Sequence, residues 1–446
     1  MNTSFFGELL QTISERGRAL LARDRRGEAS AHSEGLVELC EELLSGRGEA
    51  SGVALAREIL ARYATLTIGP RIAFFEALAQ RFGADPACME QAITAWRAAP
   101  SDATAGEVHA ASEPRRQELF RRLNLAPGGT AALVRMREQL MDVLPNRDDL
   151  QAVDDDFVHL FTSWFNRGFL VLRRIDWSTP ANILEKIIHY EAVHEIGDWR
   201  DLRSRIDPPD RRCYAFFHPA LVDEPLIFVE VALTRDIPGA IAPILAPERD
   251  PLDPDRATTA VFYSISNCQR GLTGVSFGSF LIKQVAAEIS RELPRLTTFV
   301  TLSPAPAFAG WLKRELKEDP PKAIAADDRA ALAALETGEW MKDADGAEHL
   351  REPLMRAAAT YFLTARTRTR APVDPVARFH LGNGARLERI NWLGDLSPKG
   401  LRESAGIMVN YLYRLDEIEE NHEAYARDGR IAASHTVRRL VREGRS

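Results

Sequence analysis

The chain has 446 residues, of which 45% are hydrophobic and 27% are charged, values typical of a folded protein with two or three domains. Its formal net charge of -7 argues against a general nucleic-acid binder, which usually carries a strong excess of basic residues. No apolar stretch of the sequence is long enough to span a membrane, and the first residues lack the continuous apolar core of a signal peptide.

The cysteine and histidine spacing gives no sign of a metal site. His189 and His194 are five residues apart on a predicted helix, so their side chains point to different faces, unlike the histidines of an H-E-x-x-H motif. The cysteines form no C-x-x-C pair, so that a reducing compartment is the simpler interpretation, and we expect a cytoplasmic protein. The four cysteines are Cys40, Cys88, Cys213 and Cys268.

Residues 1–165 carry a helical pattern. Apolar residues recur at steps of three and four, as in GLVELCEELL and IAFFEALAQRF, which predicts an all-helical N-terminal domain. Thr130 is a candidate N-cap, and the acidic run from Asp154 to Asp156 is typical of a solvated helix start. Because amphipathic helices suit subunit contacts, we expect this domain to support a homo-oligomer, a dimer or a tetramer.

From residue 166 onward, short apolar and alternating runs predict a second domain of the α/β class over residues 166–446. Asn383-Gly384 predicts a hairpin turn, and ARLERINW is its returning strand. Residues 317–360 have an acidic, alanine-rich helical pattern, which indicates an insertion between strands. The runs typical of strands are GFLVLRRIDW, RCYAFFH, PLIFVEVALT, TAVFYSIS, TTFVTLS and ARFHL.

The segment from Thr259 to Ser303 has the pattern of a strand, a glycine-bearing loop, a helix and a second strand. Gly274 and Gly278 bracket the loop, and the helix that follows offers unpaired N–H groups at an electropositive end, where a pyrophosphate can bind. An ordinary glycine-rich turn is the alternative interpretation, because a lone Gly-x-x-x-Gly is a weak signal.

Two polar residues are candidates for chemistry. Ser303 ends the strand TTFVTLS before Pro304, where it could hydrogen-bond a substrate or simply cap its own turn. No G-x-S-x-G elbow surrounds it, so we do not expect a hydrolase nucleophile. His380 lies on the predicted hairpin arm, where it could transfer protons near neutral pH or serve as a structural histidine.

The sequence resembles the malonyl-CoA decarboxylase family across nearly the whole chain. The similar segments are FYSISNCQRGLTGVSFGSFLIKQV, TFVTLSPAPAF, RFHLGNGARLERINWLGDLSPKG, GIMVNYLYRL, LAPGGTAALVRMREQLM and ILEKIIHYEAVHEIGDW. The resemblance implies a helical oligomerisation domain followed by an acetyltransferase-like (GNAT-like) α/β domain with a central mixed sheet. In such a sheet two parallel strands, here 259–266 and 297–303, splay apart and admit the CoA thioester.

The resemblance also implies a set of site residues. Ser303 and His380 match the catalytic positions, and Ser264 and Tyr413 match supporting polar positions of the active site. Ser276 stands where some members carry a glutamate, which leaves the role of this position open. The CoA-binding loop falls on Thr273, Gly274, Val275, Ser276, Phe277, Gly278 and Ser279.

The implied reaction converts malonyl-CoA to acetyl-CoA and carbon dioxide. Because the thioester carbonyl accepts the departing electrons, we expect no metal, biotin or pyridoxal cofactor, and CoA is part of the substrate. We expect malonyl-CoA and acetyl-CoA as partners, with no nucleic acid and no membrane. Two alternatives stay open: an acyl-CoA N-acyltransferase of the same fold, and a non-catalytic CoA-binding scaffold.

Overall fold

The structure is a computed structural model of the chain. It describes residues 33–46, 48–275, 281–318, 323–337, 340, 344–368 and 370–443. The chain forms two compact units. The first takes in Met1–Leu170, His218–Val222 and Gln269–Phe277, and the second takes in Val171–Phe217, Asp223–Cys268 and Gly278–Ser446.

The described residues up to Trp164 in the first unit form helices joined by short turns, as the three- and four-residue period predicts. Its helices are α1 (Ser33–Leu44), α2 (Glu49–Ala64), α3 (Ile68–Arg81), α4 (Pro86–Ala98), α5 (Asp102–Ser112), α6 (Arg115–Asn124), α7 (Gly129–Met141) and α8 (Gln151–Trp164). Aromatic residues fill the core: Phe120 of α6 stacks on Phe157 of α8 with 4.1 Å between the ring centroids.

Two sequence predictions in this unit are wrong. Helix α7 begins at Gly129, so Thr130 is not its N-cap, and the Thr130 hydroxyl instead donates to Asn124 Oδ1 at 2.7 Å. Asp154 and Asp156 are buried rather than solvated, because each carboxylate is paired with a buried arginine, Arg137 and Arg116 respectively. The sequence does not predict these ion pairs, because the arginines and aspartates come together only when the helices pack.

The second unit is built on one sheet of eight strands within the described residues. The strands are β1 (Val171–Ile175), β2 (Arg211–Phe217), β3 (Pro225–Thr234), β4 (Thr259–Asn267), β5 (Thr298–Thr301), β6 (Ser303–Pro304), β7 (Arg386–Asn391) and β8 (Met408–Leu412). Their order is β1-β2-β3-β4-β5-β8-β6, and β7 also pairs with β8. The β4–β5 pair is parallel and the other described pairs are antiparallel, which confirms the predicted mixed sheet.

Helices surround this sheet. They are α9 (Ala181–Tyr190), α10 (Trp199–Ile206), α11 (Ala242–Leu245), α12 (Leu281–Glu292), α13 (Phe308–Lys317), α14 (Ala326–Leu332), α15 (Ala344–Thr364), α16 (Pro375–Gly382), α17 (Pro398–Ser404), α18 (Ile418–Asp428) and α19 (His435–Glu443). Helices α14 and α15 lie in the segment whose pattern predicts a helical insertion. No helix among the described residues is sufficiently long and apolar to cross a membrane.

The parallel strands β4 and β5 separate after four paired residues, as the resemblance implies. Their register runs from Thr259 opposite Thr298 to Phe262 opposite Thr301, and among the described strands β4 then continues to Asn267 paired with β3 only. On its other side β4 carries a bulge, because Val231 faces Phe262 while the next residue, Glu230, faces Ser264. Bulges are frequent beside active sites, where they bend a strand. The sheet is therefore open at the strand end that leads to Ser303.

Ser303 does not end one continuous strand. The ladder is interrupted at Leu302, and Ser303 and Pro304 form the separate strand β6, where they face Val409 and Met408 of β8. Proline is tolerated there because, among the described strands, β6 pairs with β8 alone. The strand residues therefore end at Pro304, one residue later than the predicted end at Ser303.

His380 lies on a helix, so the predicted hairpin arm is also wrong. Helix α16 begins after Asp374, whose Oδ1 accepts a hydrogen bond from Ala377 N at 2.8 Å, and Pro375 occupies its first position. This Asp-Pro start signal outweighs the strand-like pattern of ARFHL. Gly384 follows the helix end with a φ of +81°, and an added Cβ there would lie 2.1 Å from Ile418 O, so glycine is required.

Candidate functional site

Three predicted site residues form a hydrogen-bonded chain in the second unit. Ser303 Oγ lies 3.2 Å from His380 Nε2, and His380 Nδ1 lies 2.8 Å from Tyr413 Oη. Strand β6, helix α16 and the residue just after β8 bring these side chains together. All three are buried, with exposed fractions of 6%, 3% and 2%.

Strand β8 holds the chain in place. The backbone N–H of Tyr413 donates to Phe299 O at 2.8 Å, which fixes Tyr413 beside β5. The ring of Tyr411, two residues earlier on β8, stacks on the imidazole of His380 with 4.6 Å between centroids and 24° between planes. Since alternate residues of a strand share a face, one strand supplies both the stacking ring and the hydrogen-bonding phenol.

Burial keeps both titratable groups of the chain neutral. It lowers the pKa of His380 from its ordinary 6.5 to about 3, and it raises the pKa of Tyr413 well above 10. A neutral imidazole has one N–H donor and one acceptor nitrogen. His380 is therefore a neutral hydrogen-bonding group at physiological pH.

The direction of the hydrogen bonds follows from Thr301. Ser303 Oγ donates to Thr301 Oγ1 at 2.9 Å, and that oxygen also accepts from Tyr411 N at 3.2 Å. With the Ser303 proton engaged, its oxygen accepts from His380 Nε2–H, and Nδ1 in turn accepts from the Tyr413 hydroxyl. The chain thus runs from the phenol through the imidazole to the serine.

Ser264 lies outside this hydrogen-bonded chain. Its hydroxyl donates to the carboxylate of Glu191, at 2.8 and 2.7 Å from the two oxygens. Glu191 also accepts from the backbone N–H groups of Val193 and His194, each at 2.8 Å. Sequence reasoning missed Glu191, because a lone glutamate just after a helix has no distinctive pattern.

A second buried carboxylate faces Ser264 across the β3–β4 ladder. Glu230 is fully buried, and burial together with the charge of Glu191 raises its pKa to about 8, although Arg205 at 3.4 Å opposes this effect. Polar side chains therefore continue along β4 beyond the point where β5 has left it.

The predicted CoA-binding loop is described only in part. Thr273, Gly274 and Val275 are placed, and Gly274 has a φ of +80°, which favours glycine. Ser276, Phe277, Gly278 and Ser279 lie outside the described residues.

The first half of the loop is fixed within the helical unit by Arg137 of α7. Its Nη1 donates to the carbonyl oxygens of Gly271 and Thr273, each at 2.8 Å, and its Nε donates to Asp154 Oδ1 at 2.8 Å. Gly271 packs so closely on α7 that an added Cβ would lie 2.1 Å from Val134 O. Sequence reasoning assigned no chemistry to this domain and missed Arg137, whose acceptors lie far along the chain.

Comparison with known proteins agrees with this architecture. Residues 82–165 match the family model of the malonyl-CoA decarboxylase N-terminal domain, and residues 168–446 match that of the C-terminal domain. Similar curated proteins include the mitochondrial malonyl-CoA decarboxylase of Anser anser anser, which is 38% identical over 74% of this chain and 69% of its own length. The protein of the same name from Rattus norvegicus is 37% identical over 75% of this chain and 72% of its own length.

Similar solved structures carry the same name. Malonyl-CoA decarboxylase from Rhodopseudomonas palustris is 61% identical, with a TM-score of 0.89 over 92% of this chain and 99% of that chain. The protein of the same name from Agrobacterium vitis is 56% identical, with a TM-score of 0.87 over 91% of this chain and 99% of that one. The resemblance stated from the sequence is confirmed.

The neutral state of His380 is testable by NMR. With a pKa of about 3, the ring should remain uncharged with its proton on Nε2 between about pH 5 and 8, as read from ¹⁵N chemical shifts of histidine-labelled protein. Because folding lowers the pKa of His380, the contribution of its neutral ring to the free energy of unfolding is present above the unfolded pKa of 6.5. This contribution is lost as the pH falls towards 3.

The His380→Asn variant assigns the resonance, since its spectrum lacks that signal. A His380 ring that takes up a proton near neutral pH would contradict the interpretation that burial keeps it uncharged.

Proposed function

The chain belongs to the malonyl-CoA decarboxylase family, and we propose that it decarboxylates malonyl-CoA at the hydrogen-bonded chain of Ser303, His380 and Tyr413. The single observation that carries this assignment of residues is the buried Ser303–His380–Tyr413 contact, at 3.2 and 2.8 Å. The position of Ser303, where β4 and β5 separate, supports the entry of a thioester at that point.

The reaction needs one bond to break and one to form. The bond between the carboxylate carbon and C2 of the malonyl group breaks, carbon dioxide leaves, and the bonding electrons pass to the thioester as an enolate. A proton then adds to C2 and acetyl-CoA results. The protein has to orient the carboxylate, stabilise the enolate oxygen and deliver the proton.

A neutral His380 suits this sequence of events. An imidazolium beside the substrate carboxylate would stabilise the charged ground state, whereas a neutral ring leaves that charge free to move into the enolate. In our proposal the Ser303 hydroxyl turns from Thr301 to the substrate carboxylate and positions it, and His380 Nε2–H, released from the serine oxygen, delivers the proton to C2. Tyr413 donates its proton to Nδ1 as Nε2 loses its own. After product release one proton from solvent reaches Nε2 and Nδ1 returns its proton to Tyr413, which restores the starting state. A positioned proton donor contributes a factor of about 10²–10⁴ to the rate.

Two other functions are less well supported. An acyl-CoA N-acyltransferase needs an amine acceptor, and a CoA-binding scaffold releases no product. Membership in a decarboxylase family favours carbon–carbon cleavage over both. Incubation with malonyl-CoA alone separates the three, because decarboxylation needs no second substrate.

We further propose that the reaction uses no cofactor, that the protein is a homo-oligomer and that it is cytoplasmic. The thioester carbonyl, which accepts the electrons, supports a reaction without a cofactor. The amphipathic helices of the first unit support a homo-oligomer. All four cysteines are free thiols, as is usual in a reducing compartment. Loss of activity after treatment with a chelator, or a monomer by light scattering, would refute the corresponding proposal.

Substitutions of the hydrogen-bonded residues Ser303 and His380 should lower turnover without removing the binding of CoA. We expect Ser303→Ala and His380→Ala each to reduce kcat for the release of carbon dioxide by a factor of about 10²–10⁴. The Kd for acetyl-CoA, measured by calorimetry, should change less than about threefold, since neither side chain is assigned to the nucleotide.

Ser178→Ala, at an exposed serine of the same unit, serves as the control and should retain wild-type kcat. Near-wild-type turnover in His380→Ala would refute the assignment of that residue.

Arg137 offers a test of the loop that is independent of the chemical step. Arg137→Lys keeps the charge but cannot reach Asp154 and both loop carbonyls at once, so the loop should become less well fixed. We expect KM for malonyl-CoA to rise about tenfold while kcat changes less than about threefold. Arg121→Lys in the same unit, at a half-buried arginine that is not bonded to the loop, is the matched control. An unchanged KM in folded Arg137→Lys would remove the loop from the binding site.

A further inference from the structure

A cavity lies on the face of the sheet that points away from His380. It has a volume of about 610 Å³, and we call it the reverse-face pocket; its walls are residues 237–240, Pro243, residues 389–392, Arg351 and Met355. Its volume is within the usual range for small-molecule sites.

Strand alternation shows that the reverse-face pocket is separate from the catalytic chain. On β8, Tyr411 stacks on His380, whereas Met408 packs into the apolar cluster on the opposite face. Ile237, which lines the pocket, packs against that same cluster. A molecule in this pocket and a substrate at Ser303 would therefore lie on opposite faces of the sheet.

The pocket contains a cation, Arg389, whose hydrogen-bond acceptors among the described residues carry no charge. Arg389 Nε donates to Asn391 Oδ1 at 2.7 Å and to Asn410 Oδ1 at 3.1 Å, and its Nη2 donates to Ile237 O at 2.8 Å. These acceptors are all neutral. Glu388, the preceding residue, has its carboxylate 2.7 Å from Arg386.

The remaining lining residues do not supply a counter-ion either. None of the described residues that line the pocket is acidic, and Arg351 on its wall adds a second guanidinium, paired with Glu348 at 3.0 Å outside the lining. Burial lowers the pKa of Arg389, although the charge of Glu388 opposes this effect. A half-buried guanidinium fixed by neutral acceptors is preorganised for an oxyanion.

The rest of the wall defines the body of the ligand. Trp392 presents an indole, and Met355 and Pro238 are apolar. We propose that the reverse-face pocket binds a small organic anion in which a planar or apolar body carries a carboxylate or phosphate, with the oxyanion at Arg389.

Calorimetry on the full chain, with acetyl-CoA at saturation to occupy the substrate site, tests this proposal. The probes are benzoate and phenyl phosphate, with benzyl alcohol as the neutral analogue. We expect at least one anion to bind with one site per chain and about tenfold or more tighter than the alcohol. The tighter of the two anions identifies the head group.

Two substitutions locate the binding. Arg389→Gln removes the cation, and Met355→Glu places a competing carboxylate in the wall while leaving Arg389 and its amide partners intact. Each should weaken the anion about tenfold or more. Met355→Leu is the matched control and should bind within about twofold of wild type. If Arg389→Gln does not fold, the Kd of the anion for Met355→Glu is the deciding measurement. Absence of binding by both anions, or an unchanged Kd in Met355→Glu, would overturn the proposal.

Discussion

The burial of a neutral imidazole is the constraint on which the site depends. His380 has no charged partner in its hydrogen-bonded chain, so its ring can be held only by neutral donors and acceptors placed on both of its nitrogens. Tyr413 and Ser303 meet this requirement, and the stacked Tyr411 fixes the plane of the ring. An unsatisfied nitrogen at such a depth would cost about 1–3 kcal/mol, which explains why three separate elements converge here.

The sheet provides the geometry for that convergence. Strand β5 lies between β4 and β8. Its pairing with β4 ends at Thr301, and the chain continues as β6 along β8, so that Ser303 lies beside the elements that carry Tyr413 and His380. The same departure leaves the end of β4 unpaired on one side, beside Ser264. The end of the β4–β5 pairing thus opens the sheet and brings together the three residues to which we assign the chemistry.

Much of this could be predicted from the sequence, and the failures have physical causes. Local periodicity predicts the helical unit and the strand pair, and long motifs shared with a family identify Ser303, His380 and Tyr413. The strand-like ARFHL misleads because the Asp374 cap decides its conformation. Local sequence patterns do not predict the contact between Arg137 and the loop, because its loop acceptors, Gly271 and Thr273, lie more than a hundred residues away. Contacts of this kind exist only after packing.

The central claim is that His380 acts through a neutral hydrogen-bonded chain that ends at Tyr413. The kcat of Tyr413→Phe tests it most directly, because this change removes one hydroxyl and keeps the ring that lies beside Phe262 and His380. The account predicts that kcat for malonyl-CoA falls by a factor of about 10–10² while KM changes little. A variant that folds normally and retains the wild-type kcat would contradict it.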